Sequence, residues 1–102
     1  MLFDGLFPIV RRNRRLRGEV LAEEVAKWKN RPVLEVLSLL VHDRHSYEIV
    51  KDELSHRVLL TLLDMRDDIV LINVSVSNGG LSDFAPPCRI IEYHADGTAD
   101  TY

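Results

Sequence analysis

Hydrophobic residues recur at helical spacing through the first two thirds of the chain. In residues 16–30, Val20, Val25 and Trp28 lie on one stripe, and charged residues lie opposite. This pattern predicts an amphipathic helix that buries its apolar stripe against another element. The helix is expected to end before Pro32, because proline lacks the amide hydrogen that a helix interior needs.

The next run, residues 33–42, is apolar on nearly every side. Its leucine content and the proline before it favour a second helix, since proline suits the first helical turn. A buried central strand also fits, because periodicity does not separate a helix from a strand over so few residues.

A third helical pattern covers residues 46–66. Ser46 can cap its start, and apolar residues follow at intervals of mostly four. These residues are Val50, Leu54, Val58, Leu62 and Met65. The sequence leaves open whether this segment is one helix or two helices with a break at Ser55. Helical structure is thus predicted over residues 16–66.

Beyond residue 67 the hydrophobic period changes to two. The alternation over residues 70–77 predicts a strand. The Asn-Gly-Gly of residues 78–80 predicts a hairpin turn, because such turns need positive φ angles. A second strand is predicted over residues 88–94. The predicted fold class is therefore α+β, with N-terminal helices followed by a β-hairpin or small antiparallel sheet.

The chain has 102 residues, of which 46% are hydrophobic and 28% charged, and this suits a single domain. The predicted division is a basic and apolar arm over residues 1–15, helices over 16–66, and a hairpin with a tail over 67–102. The single cysteine, Cys88, cannot form an internal disulfide, which favours a reducing compartment. The apolar start precedes the arginines and is too short to span a bilayer, so a cytoplasmic protein without a membrane partner is expected.

Basic residues concentrate near the N-terminus. Residues 1–31 contain eight basic and four acidic residues, a net charge of +4, and the other 71 residues contain five basic and twelve acidic residues, a net charge of −7. Five arginines lie within seven positions: Arg11, Arg12, Arg14, Arg15 and Arg17. Guanidinium groups bind phosphate through paired hydrogen bonds, so the cluster predicts a polyanion such as nucleic acid. The alternative is a solvated segment, or one that pairs with the acidic remainder of the chain.

The segment PVLEVLSLLVHDRHSYEIVKDE, residues 32–53, resembles the opening of PadR-type winged-helix regulators. In that family a leucine-rich helix precedes a Tyr-Glu-Leu/Ile-hydrophobic-Lys helix, and glycine usually precedes the tyrosine, where this chain has Ser46. The resemblance implies a recognition helix over residues 55–66 and a wing over residues 69–94. The side chains that it places against DNA are His56, Arg57 and Thr61. Acidic residues flank this segment and repel phosphate, so only the N-terminal arginines could compensate.

The sequence contains no recognised catalytic or metal-binding signature. His42, His45 and His56 are near one another along the chain, but no carboxylate–histidine spacing accompanies them. Zinc needs three or four converging ligands. The serines lack the strand–turn–helix context of an activated nucleophile. Neither a metal, nor a cofactor, nor an enzymatic activity is therefore predicted.

The predicted function is that of a noncatalytic regulatory or binding protein, with a DNA-binding winged-helix regulator as the leading interpretation. The alternative is a protein–protein interaction module, such as an adaptor, inhibitor or immunity-type protein, whose acidic surface docks onto a basic partner. A homodimer is compatible with both hypotheses.

Overall fold

The computed structural model describes residues 2–79 and 84–102, with side chains from residue 8 onward. It confirms the α+β class, but strands make up more of the fold than predicted. The helices are α1 (Leu2–Lys29) and α2 (Val33–Leu39), and the strands are β1 (Arg44–Lys51), β2 (Leu54–Met65), β3 (Ile69–Ser77), β4 (Cys88–His94) and β5 (Ala99–Thr101).

The five strands form one antiparallel sheet in the order β1-β2-β3-β4-β5, so each strand pairs with its neighbours in sequence. One face of the sheet, here called the inner face, packs against α1. The core between them is built from β-branched and leucine side chains of the central strands, together with Tyr93 of β4. Val36 of α2 joins the same core.

From residue 8 onward, the buried apolar side chains of α1 begin at Leu16. The buried apolar stripe of the helix consists of Leu16, Val20, Leu21, Val25 and Trp28. The predicted amphipathic helix is thus confirmed. Residues 8–15 are exposed apart from the partly buried Asn13. Because residues 8–12, 14 and 15 are exposed, this part of α1 extends past the region of the helix that packs on the sheet.

The helical prediction for residues 46–66 is wrong, because this segment forms most of β1 and β2. Residues four apart share one face in a strand as they do in a helix. Leu54, Val58 and Leu62 therefore lie together on the inner face of β2 and mimic a helical stripe. Along β1, exposed and partly buried residues alternate, and this period of two distinguishes the strand from a helix.

A two-residue turn at Asp52-Glu53 joins β1 to β2. Both residues have positive φ, 50° and 66°, and Lys51 pairs with Leu54 across the turn. Hairpin turns of this kind are usually marked by Asn-Gly or Asp-Gly. Because Asp-Glu carries no such mark, the sequence pattern did not reveal the hairpin.

The winged-helix arrangement is not confirmed. Residues 55–66, expected to form a recognition helix, lie within β2. The strands predicted over 70–77 and 88–94 are confirmed as β3 and β4, but they belong to a five-stranded sheet. The predicted turn over residues 78–80 lies partly outside the described residues, and the connection from β3 to β4 runs over residues 78–87.

Candidate nucleic-acid interface

Residues 8–17, here called the basic half of α1, hold the arginine cluster. Arg11, Arg12, Arg14 and Arg15 are exposed, and Arg17 is partly buried where the helix reaches the sheet. Four guanidinium groups therefore line about one and a half turns of a helix that projects from the fold. No acidic residue lies between residues 5 and 18. This is the most basic part of the described surface.

Two of the exposed arginines bind groups within the protein. Arg12 donates to the backbone carbonyl of Asp52. Arg15 lies 3.3 Å from the Glu19 carboxylate, one helical turn along. Exposed pairs of this kind contribute roughly 0.3–0.5 kcal/mol, so they do not prevent an arginine from binding phosphate instead.

The basic half of α1 is held in place by Asn78, directly after β3. Arg17 donates to the Asn78 side-chain oxygen at 3.0 Å, and the Asn78 side-chain nitrogen donates to the Asn13 carbonyl at 2.9 Å. These contacts join the helix to the sheet at the point where the helix leaves it. The direction of the projecting turns is therefore set by the protein itself.

A partly buried network of hydrogen bonds fixes the other end of α1. Trp28 Nε1 donates to the Tyr47 hydroxyl at 2.6 Å, and this hydroxyl donates to the Glu24 carboxylate at 2.5 Å. Burial, followed by the hydrogen bond to Glu24, raises the pKa of Tyr47 well above its usual value. The Tyr93 hydroxyl donates to the Trp28 carbonyl at 2.8 Å. The network joins α1 to β1 and β4.

The other three predicted DNA contacts do not form one surface. His56 lies on the inner face with 0% exposure, so it cannot contact a nucleic acid in this fold. Neither of its ring nitrogens has a hydrogen-bond partner among the described residues. Arg57 and Thr61 lie on the opposite, outer face of the sheet. The structure therefore separates His56 from the two other side chains.

Arg57 lies in a shallow, open cleft on the outer face. Glu48, Ser55, Ser77 and residues 78–79 line the cleft with it. Asn78 also contacts α1, so the cleft and the basic half of α1 lie at the same end of the sheet. Arg57 is therefore the one predicted β-strand contact that lies near the arginine cluster.

The histidines considered as metal ligands in the sequence lie apart. His42 is in the turn before β1, His45 packs edge-on against Trp28, and His56 is buried under α1. Within the described residues, a group with metal-ligand spacing occurs instead at Glu92, His94 and Asp100. That group was missed because Asp100 joins it only through strand pairing.

The described part of α1 and α2 contains no stretch with the length and apolar composition required to cross a membrane. No family model, curated protein sequence or solved structure matches this chain. Its function is therefore inferred from its own residues.

Proposed function

We propose that this protein is a noncatalytic regulatory protein that binds nucleic acid through the basic half of α1. The observation that carries the proposal is the set of exposed arginines in α1, directly before the residues with which this helix packs on the sheet. Each guanidinium can form paired hydrogen bonds with a phosphate and release condensed counterions. The acidic remainder of the chain limits binding to this one part of the surface.

The dimensions of the projecting helix support this proposal. An α-helix with its side chains is about 10–12 Å wide, and the major groove of B-DNA is about 12 Å wide. Arg11 and Arg14 lie three positions apart, and Arg15 lies four from Arg11, so these side chains share one side of the helix. Contacts of this kind bind the phosphate backbone without reading the bases.

A titration of a fluorescent DNA duplex with the purified chain tests the proposal. We expect binding at low salt that weakens steeply as salt rises. Affinity falls as salt rises, so the slope of log K against log salt is negative. The double variant Arg11→Ala/Arg14→Ala should make this slope less steep by about 1.8, because each lost phosphate contact removes about 0.9. The matched control is Lys29→Ala/Arg44→Ala, which removes the same charge from exposed positions elsewhere.

Two results would contradict nucleic-acid binding. One is the absence of any complex at low salt. The other is an equal loss of affinity in the two double variants, which would show that net charge alone, and not the basic half of α1, decides the binding.

The outer face of the sheet supports a second candidate function, docking of a basic protein. Leu71 is partly exposed there and lies between its cross-strand partners Asp64 and Glu92. Apolar area flanked by carboxylates suits a partner with basic groups around an apolar centre. A stoichiometric basic protein that binds the wild-type chain and not the Leu71→Lys variant would favour this candidate over nucleic acid.

A further inference from the structure

Three potential metal ligands lie together where β4 pairs with β5. Glu92 and His94 are two residues apart in β4, so their side chains share the outer face. Asp100 of β5 is the direct cross-strand partner of Glu92. Strand register therefore places two carboxylates and one imidazole side by side, although Asp100 is remote from the others in sequence.

The separations of the ligand atoms fit one coordination sphere. His94 Nε2 lies 3.0 Å from Asp100 Oδ2 and 3.3 Å from Glu92 Oε2. All three donor atoms lie within 4.8 Å of one another. A tetrahedral zinc ion with bonds of about 2.0–2.1 Å has neighbouring ligands about 3.3 Å apart. A single ion can thus contact all three groups after small side-chain rotations.

Groups around the cluster hold the ligands in position. The Tyr102 hydroxyl donates to Glu92 Oε2 at 3.0 Å and orients that carboxylate. The turn from β4 to β5 is closed by Asp96, which accepts from the Thr98 amide at 2.9 Å and from its hydroxyl at 2.6 Å. Gly97, with φ of +90°, completes the turn. Hydrogen bonds to a ligating carboxylate are a regular part of protein metal sites.

We propose that Glu92, His94 and Asp100 bind one divalent transition-metal ion of the zinc class, with water in the remaining position. The imidazole sets this preference, because Mg²⁺ and Ca²⁺ favour oxygen ligands alone whereas zinc binds nitrogen and oxygen together. The site does not depend on the proposed function. His94 pairs with Ile69, so the cluster lies at the end of the sheet opposite to Asn78 and the basic half of α1.

A bound ion would join β5 to β4. β5 has only three residues and pairs with β4 alone, at the edge of the sheet. Metal contacts from Asp100 would supplement these few backbone hydrogen bonds. Zinc is therefore expected to raise the midpoint of thermal unfolding as well as to bind.

Isothermal titration of the chelator-treated full chain with zinc tests the site. We expect one ion per chain. Tyr102→Phe removes a hydrogen bond to a ligand and not a ligand itself, so it should weaken zinc binding by roughly 10–100-fold. His94→Ala and Asp100→Asn each change a ligand, so each should weaken zinc binding by more than that. Cobalt absorption provides a second readout of ligation. Circular dichroism verifies that each variant remains folded.

His42→Ala is the matched control, since His42 is an exposed histidine in the turn before β1. We expect it to bind zinc like the wild-type chain. Absence of zinc binding would overturn the proposal and leave Glu92, His94 and Asp100 as an ion-paired cluster. Equal binding by the wild-type chain and His94→Ala would also overturn it, as would a loss of binding in His42→Ala.

Discussion

Replacing Tyr47 by phenylalanine should destabilise the protein by about 2–4 kcal/mol. The hydroxyl is shared by two partners, since it accepts from Trp28 Nε1 at 2.6 Å and donates to Glu24 at 2.5 Å. A hydrogen bond to a charged group contributes about 1.5–3 kcal/mol and a neutral one about 0.5–1.5 kcal/mol. Trp28 and Glu24 are 3% and 6% exposed, so water has little access to the atoms that lose the hydroxyl, and Glu24 keeps only the longer contact of 3.5 Å with Lys27 Nζ among the contacts of the described residues.

Urea denaturation measures this loss, with the fluorescence of the single tryptophan and circular dichroism as parallel probes. The control is Tyr102→Phe, which removes an exposed hydroxyl bonded to Glu92 and should change the free energy of unfolding far less than Tyr47→Phe does. If Tyr47→Phe has as small an effect as Tyr102→Phe, the network does not hold α1 to β1 as inferred.

Two further predictions concern histidines. His56→Leu should stabilise the protein by about 1–3 kcal/mol in urea denaturation, because it replaces a buried ring without a described hydrogen-bond partner; a loss of stability would show that the ring is satisfied. The hydrogen bond to Asp100, followed by the charges of neighbouring carboxylates, raises the pKa of His94 above 6.5. The resulting stabilisation should be complete below pH 6.5 and lost as the pH rises through the folded-state pKa. An NMR titration should show this pKa falling in Asp100→Asn, and an unchanged value would refute the cause given.

Several elements could be predicted from the sequence because their signals are local. The apolar stripe of α1 runs over many turns, and the alternation in β3 and β4 matches their burial. The arginine cluster is visible directly in the sequence, and its exposure is expected because burying a charge without a partner is costly. The sequence also marks the turn at Gly97, where the positive φ suits glycine.

Only the tertiary structure decided the state of residues 44–65. Apolar residues four apart fit a helix and a strand equally, and the Asp52-Glu53 turn changes which residues face α1. Pairing of β2 between β1 and β3 satisfies its backbone groups and buries Val58 and Leu60 completely. Those contacts come from distant parts of the chain, which a local periodicity does not contain.

The candidate sites divide in the same way. The basic half of α1 is continuous in sequence, so it could be recognised before its surroundings were known. The burial of His56 and the meeting of Glu92 with Asp100 required the strand register. In a sheet, the register between strands decides which residues become neighbours, whatever their separation along the chain. That register is fixed only when the chain folds.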